Sequence, residues 1–226
     1  MCCTTAEGVR AACAGGAERV ELCVGLEQEG LTPPADLVAR VRDRCRIGLH
    51  VLIRARPGDF VYGPAEIEAM RASIAVVKAL GADGVALGCL TAEGRVDLAA
   101  CRLLIEAARP LSVTFHRAVD RVPGDAGADL GRLGVDRVLT SGGAATAEAG
   151  TDGLRRWLAS GIGVIAAGSV RAWNVGRIVA ATGVGEVHAA LDRLAADRSA
   201  EGRARAVRDL VEAANRISPG AAAGRR

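Results

Sequence analysis

The sequence predicts a (β/α)8 barrel of the TIM type, and three observations carry that expectation. Four segments echo one another: "GAERVEL" from Gly16, "GADGVAL" from Gly81, "GVDRVLT" from Gly134 and "GVGEVHA" from Gly183. Other strand-like runs lie between them, and amphipathic helical stretches separate these runs. The repeats are 65, 53 and 49 residues apart. One βα unit takes roughly 30 residues, so each interval has room for two. Strands alternating with helices call for a parallel sheet covered by helices.

In order, strand one is a truncated stub at Met1–Cys3, and strand two is the end of "GAERVEL". In each repeat the glycine suits the left-handed residue that ends a helix, and a β-branched valine opens the buried strand. Strand three is "IGLHVLIRA" (47–55), strand five "LSVTFH" (111–116) after Pro110, and strand seven "GVIAAG" (163–168). The remaining repeats supply strands four, six and eight. The clearest helix is "EIEAMRASIAVVKALG", with Ile67, Met70, Ile74, Val77 and Leu80 near a 3.6-residue period. "DLVARVRDRC", "DLAACRLLIEAA", "NVGRIVAATG" and "RARAVRDLVEAANRI" supply others. An open doubly wound sheet is the alternative, but no G-x-G-x-x-G follows a strand. The barrel is expected as a single domain over residues 1–217, with the patternless tail 218–226 disordered.

Composition excludes several classes. Half of the 226 residues are hydrophobic, enough for a sizeable core. No apolar run reaches the roughly 18 residues a membrane span requires. The start "MCCTTAEGVR" has no basic region followed by an apolar segment, so the expected location is cytoplasmic. The 29 basic residues are interleaved with 26 acidic ones, and only five aromatics are present, which argues against a nucleic-acid partner. The seven cysteines match no zinc spacing and are expected as thiols. No organic cofactor is evident.

In a barrel the functional groups sit at the C-terminal strand ends and in the loops that follow. Side chains alternate in and out along a strand. With Val20 and Leu22 facing the helices, Glu21 and Cys23 point inward. With Val51 and Ile53 outward, His50, Leu52, Arg54 and Arg56 share the inner row. Val113 and Phe115 outward leave Thr114 and His116 inside, with Arg117 and Asp120 opening the loop beyond. The same reading sets Thr140 inside opposite Leu139, and Glu186 and His188 inside opposite Val187. His50 lies deeper and reads as a hydrogen-bonded core residue. Glu21, Arg54, His116, Thr140 and His188 read as one ligand site. The loops "TSGGA" (140–144) and "AAGSVRAWN" (166–174) offer backbone amides to an anion, and Ser169 is placed to cap the next helix.

The stretches "GGAERVELC", "EGLTPP", "IRARPGDFVY", "TFHRAVD", "VLTSGG", "AGSVRAWN" and "EVHAA" together resemble the CutC family, from about residue 2 to residue 191. The resemblance implies a (β/α)8 barrel, a homodimer, and a cytoplasmic role in copper homeostasis. Cys2 and Cys23 match the two cysteines suggested as the family's copper-binding pair. Arg54, Arg56, Asp59, His116, Arg117, Asp120, Thr140, Ser141, Gly142, Gly168, Arg171 and His188 match its other polar positions. The chain departs from the family at Arg54-Ala55-Arg56-Pro57-Gly58-Asp59, where Arg-Pro-Arg-Gly-Gly-Asp is usual, and it lacks the glutamate two residues before the first cysteine.

Two functions follow as expectations. The first is Cu(I) binding by Cys2 and Cys23, since soft thiolates suit that ion. The second is an enzyme acting by acid–base chemistry on a small anionic metabolite, phosphorylated or carboxylated. There His116 is the acid or base and Glu21 orients it or shares the proton transfer, with Arg117, Asp120 and His188 beside them. Arg54, Arg56 and Arg171, with Thr140, Ser141, Gly142 and Gly168, hold the anion.

Overall fold

The computed structural model describes residues 1–216, so the expected tail 218–226 lies outside the described residues. Eight parallel strands pair in chain order: β1 Cys2–Cys3, β2 Arg19–Leu22, β3 Gly48–Leu52, β4 Gly84–Leu87, β5 Ser112–Phe115, β6 Arg137–Thr140, β7 Gly163–Ala166 and β8 Glu186–Val187. The stub β1 is held in register by Cys2 opposite Glu21 and Cys3 opposite Leu22. The Cys2 amide donates to the Ala189 carbonyl at 2.9 Å, and Cys2 bridges Ala190 in the parallel sense. The first strand therefore meets the end of the last, and the sheet curls into a barrel.

The helices are α1 Ala6–Ala14, α2 Ala35–Arg44, α3 Pro64–Ala79, α4 Leu98–Ala108, α5 Gly127–Leu133, α6 Thr151–Ala159, α7 Val175–Thr182, the short α8 Leu191–Leu194, and α9 Ala200–Asn215. Their ends follow from local chemistry. Thr5 and Asp97 accept from the Gly8 and Ala100 amides at the starts of α1 and α4, each at 3.0 Å. The four glycines that open the repeats, Gly16, Gly81, Gly134 and Gly183, all adopt φ between 68° and 86°, the left-handed turn out of a helix.

Val20, Leu22, Val51, Ile53, Val113, Phe115 and Val138 are all buried in the large core between sheet and helices. Inside the barrel the apolar clusters are small: Cys2, Cys23, Leu52 and Ala86 in one, and Leu139, Ile165 and Ala167 in another. Ions fill its N-terminal end. Glu186 accepts from Arg19 and, at 3.1 Å, from Arg137, which also donates to Ser112 at 2.9 Å. His50 sits above this plug, buried against the Gly84 backbone. A Cβ at position 84 would lie 2.5 Å from the imidazole, so only glycine leaves room for the ring. Burial, reinforced by Arg19, lowers the His50 pKa to about 4.

Two expectations need correction. Strand six has the opposite phase: β5 pairs Thr114 with Arg137 and Phe115 with Val138, so Arg137 and Leu139 face the interior and Thr140 faces away. Ser169 caps no helix. It lies in a left-handed turn at φ 56°, and Asn174, just before α7, closes the loop by accepting from the Arg171 amide at 2.8 Å.

Candidate functional site

A cavity of about 530 Å³ opens at the C-terminal ends of the strands, within the size range of small-molecule sites. Its wall contains Cys2, Glu21, Cys23, Arg54, His116 and His188 from the strands or the first residues beyond them. Arg117, Asp120, Gly143, Gly168, Arg171 and Arg193 come from the loops and α8, and Leu139 takes the inward place expected for Thr140.

The two cysteines on neighbouring strands are in contact, with Sγ atoms 3.1 Å apart. That contact and burial push the Cys2 thiol pKa well up, so in the absence of metal Cys2 holds its proton at neutral pH. Beside them His188 Nε2 lies 3.9 Å from Glu21 Oε1, each side chain only 15% exposed. This is no ion pair. Burial raises the Glu21 pKa and lowers that of His188 well below its ordinary value, and both effects favour neutral forms.

His116 packs against Gly88, where a Cβ would meet the ring at 2.8 Å. Its Nδ1 accepts from the Ala118 amide at 3.2 Å, which puts the proton of the neutral ring on Nε2. That atom is buried and has no hydrogen-bond partner among the described residues. Burial and the neighbouring Arg54 lower the His116 pKa to about 3, so at neutral pH the ring is a hydrogen-bond donor at Nε2. Phe60, held at φ 67°, lies against His116 with ring centres 5.0 Å apart and planes tilted by 51°, and receives the Arg54 and Arg121 guanidinium groups at 4.6 and 4.7 Å from its centroid.

Several residues grouped with the site work in its walls. Arg54 is buried and donates to the carbonyls of Gln28 at 2.7 Å and Gly30 at 3.0 Å, tying the loop after β2 to the end of β3. Arg56 does not line the cavity. The chain has left the sheet by then, and its guanidinium pairs with Asp59 at 3.1 Å and Glu66 at 2.6 Å. Thr140, Ser141 and Gly142 also stand outside the cavity wall. The Thr140 hydroxyl donates to Asp120 and accepts from the Gly142 amide at 2.9 Å, so it braces the loop. Asp120 accepts as well from the Ser141 and Gly143 amides and from Arg117 Nε.

Arg171 and Arg193 are different. Both line the cavity, their side chains donate only to single carbonyls, of Val170 and Leu26, and neither forms an ion pair among the described residues. Sequence reasoning missed Arg193, which lies in the one-turn helix α8, too short to show a periodicity that would orient it.

The family model described as the CutC family matches residues 1–192. The chain belongs to the CutC family. A family protein CutC from Bacteroides thetaiotaomicron is 45% identical over 194 residues, covering 83% of this chain and 78% of that protein. Another from Xanthomonas axonopodis pv. citri is 48% identical over 184 residues, covering 79% and 77%. Among solved structures, a CutC from Streptococcus agalactiae, described as a candidate copper homeostasis protein, superposes with a TM-score of 0.72 at 29% identity, covering 76% of this chain and 87% of that one. A thiamine phosphate pyrophosphorylase from Pyrococcus furiosus (TM-score 0.64, 19% identity, covering 94% and 90%) shares the barrel, and at that identity the likeness concerns the fold alone. No helix among the described residues of this CutC family member is long and apolar enough to cross a membrane.

Proposed function

We propose that the chain serves copper homeostasis by binding Cu(I) between Cys2 and Cys23. The 3.1 Å approach of the two sulfurs in the cavity wall carries this reading. A metal about 2.3 Å from each of two thiolates holds the sulfurs about 3.8 Å apart at a tetrahedral angle and about 4.6 Å apart in linear coordination, so the two side chains must rotate apart from their present contact. Family membership supports the copper role, and soft sulfur ligands support the choice of Cu(I). Both thiols must give up their protons on binding, so affinity rises with pH. Replacing Cys2 or Cys23 by serine is expected to abolish stoichiometric Cu(I) uptake in competition with a chromogenic chelator. Serine at Cys13 or Cys101, both on helices, is expected to change nothing. Cu(I) binding that survives loss of both Cys2 and Cys23 would refute the assignment.

The unpaired Arg171 and Arg193, with the His116 Nε2–H, favour a second reading: an enzyme for a small phosphorylated or carboxylated metabolite. There the arginines hold the anion and His116 stabilises developing negative charge. Phosphate, sulfate or a phosphorylated metabolite at about a hundredfold its dissociation constant is expected to stabilise the protein by about 2.7 kcal/mol in thermal unfolding. Arg171→Ala or Arg193→Ala should remove that gain. No shift with any of these anions, or the same shift in both variants, leaves copper handling alone.

A further inference from the structure

Cys2 belongs to two donor groups, and the copper reading uses only one of them. Its sulfur, a Glu21 carboxylate oxygen and a His188 ring nitrogen all lie within 4.8 Å of one another, a group that does not include Cys23. The three come from β1, β2 and the residue after β8, and so converge at the seam where the barrel closes. Tetrahedral ligands about 2.0–2.3 Å from a zinc ion sit roughly 3.3–3.8 Å from one another, so small movements bring the three into range. A second observation points to a ligand. Neither the Glu21 carboxylate nor the His188 imidazole makes a hydrogen bond to any described residue, although each side chain is only 15% exposed. A carboxylate and an imidazole that line the cavity without a protein hydrogen bond are groups that water or a ligand must satisfy, and packing alone does not call for them.

We propose that Cys2, Glu21 and His188 form a binding site for a divalent ion of zinc-like character, alternative to the two-sulfur Cu(I) site and sharing Cys2 with it. One sulfur, one imidazole and one carboxylate make a borderline donor set that suits Zn2+, where two thiolates suit Cu(I). Three protein ligands leave a fourth position, and all three residues line the cavity that Arg171 and Arg193 also line. An anionic ligand entering that cavity can therefore reach both the ion and the arginines. The inference rests on the copper reading only through Cys2.

Crossed variants test it, with Co2+ as spectroscopic probe and Zn2+ competing. Wild type is expected to bind one equivalent of Co2+ with the visible bands of a tetrahedral site bearing one thiolate. Glu21→Gln and His188→Gln should each weaken Zn2+ by about a hundredfold or more, beyond what loss of an outer partner costs, and leave Cu(I) uptake unchanged. Cys23→Ser should lose Cu(I) and keep the Co2+ spectrum, and Cys2→Ser should lose both. Unfolding temperatures measured without metal identify any variant that fails to fold, and His188→Gln then carries the test if Glu21→Gln fails. Wild-type Zn2+ affinity in both the Glu21 and His188 variants overturns the proposal, as does absence of Co2+ binding in wild type or its loss in Cys23→Ser. Loss of the copper reading alone looks different: no Cu(I) uptake beside an intact Co2+ spectrum.

Discussion

Between pH 7.5 and pH 5 the metal-free protein is expected to lose about 4 kcal/mol of stability, with the cause in its buried histidines. His50 and His116 are 6% and 5% exposed, and burial lowers their pKa values to about 4 and about 3. An unfolded chain restores a histidine to about 6.5. Between the folded and unfolded values the unfolded state therefore holds the extra proton, and stability falls as pH drops below about 6.5. By pH 5 each such histidine contributes a loss of about 2 kcal/mol. His188 moves in the same direction. Glu21 acts the other way, since its raised pKa lets the folded state take up a proton first and return part of the loss.

Urea unfolding from pH 8 to pH 5, on protein freed of metal, reads this directly. The slope should report uptake of about two to three protons on unfolding near pH 5.5. His116→Asn should lower it by about one, whatever the variant does to stability at pH 8. A flat profile between pH 7 and pH 5.5 would mean that the histidines are hydrated and protonate in the folded state. A domain stable by about 5–15 kcal/mol at neutral pH loses a large share of its margin this way.

The residues read correctly from alternation are those where the strand supplies contrast. In β2, β3 and β5 the outward positions carry Val, Leu, Ile or Phe and the inward ones carry Glu21, Arg54, Thr114 or His116, so the phase is plain. In β6, Val138, Leu139 and Thr140 differ too little for polarity to choose. Arg137 held the signal: two residues before Leu139 and so of the same phase, it points into the ion-filled end of the barrel. Arg56 shows a second limit. Alternation still holds at Arg54, two residues past the end of β3, but by Arg56 the chain is in a loop that owes its shape to hydrogen bonds and ion pairs. The Cys2–Cys23 contact lies across the adjacent strands β1 and β2, but the convergence of Glu21 with His188 depends on closure of the sheet between residues far apart in the chain. Spacing along a single sequence has no access to that, and here the family resemblance supplied the cysteine pair.

Asp120 gives the other large expected effect, and it distinguishes a structural carboxylate from a catalytic one. Its side chain is 9% exposed. Oδ1 accepts from the Thr140 hydroxyl and from the Ser141 and Gly143 amides, the last two at 3.1 and 3.2 Å. Oδ2 lies 2.8 Å from Arg117 Nε and 3.0 Å from the Ser141 hydroxyl. One carboxylate thus fastens the turn after β5 to the glycine loop after β6 and satisfies amides that no strand partner can reach. Asp120→Ala leaves those donors and the arginine without an acceptor, and the cost is expected at about 3–5 kcal/mol. Asp120→Asn keeps the shape and one acceptor oxygen, but it turns an NH2 group toward a cluster of donors, and about half that cost is expected. Urea unfolding measures the order, alanine worse than asparagine, and hydrogen exchange should quicken at the Ser141 and Gly143 amides first. Cu(I) uptake in Asp120→Asn should match wild type, because Asp120 touches neither cysteine. If both variants unfold within about 1 kcal/mol of wild type, water replaces the carboxylate and the loop does not depend on it. If stability holds while the anion-induced thermal shift disappears, Asp120 acts on the bound ligand, and the enzyme reading gains the residue that this bracing role denies it.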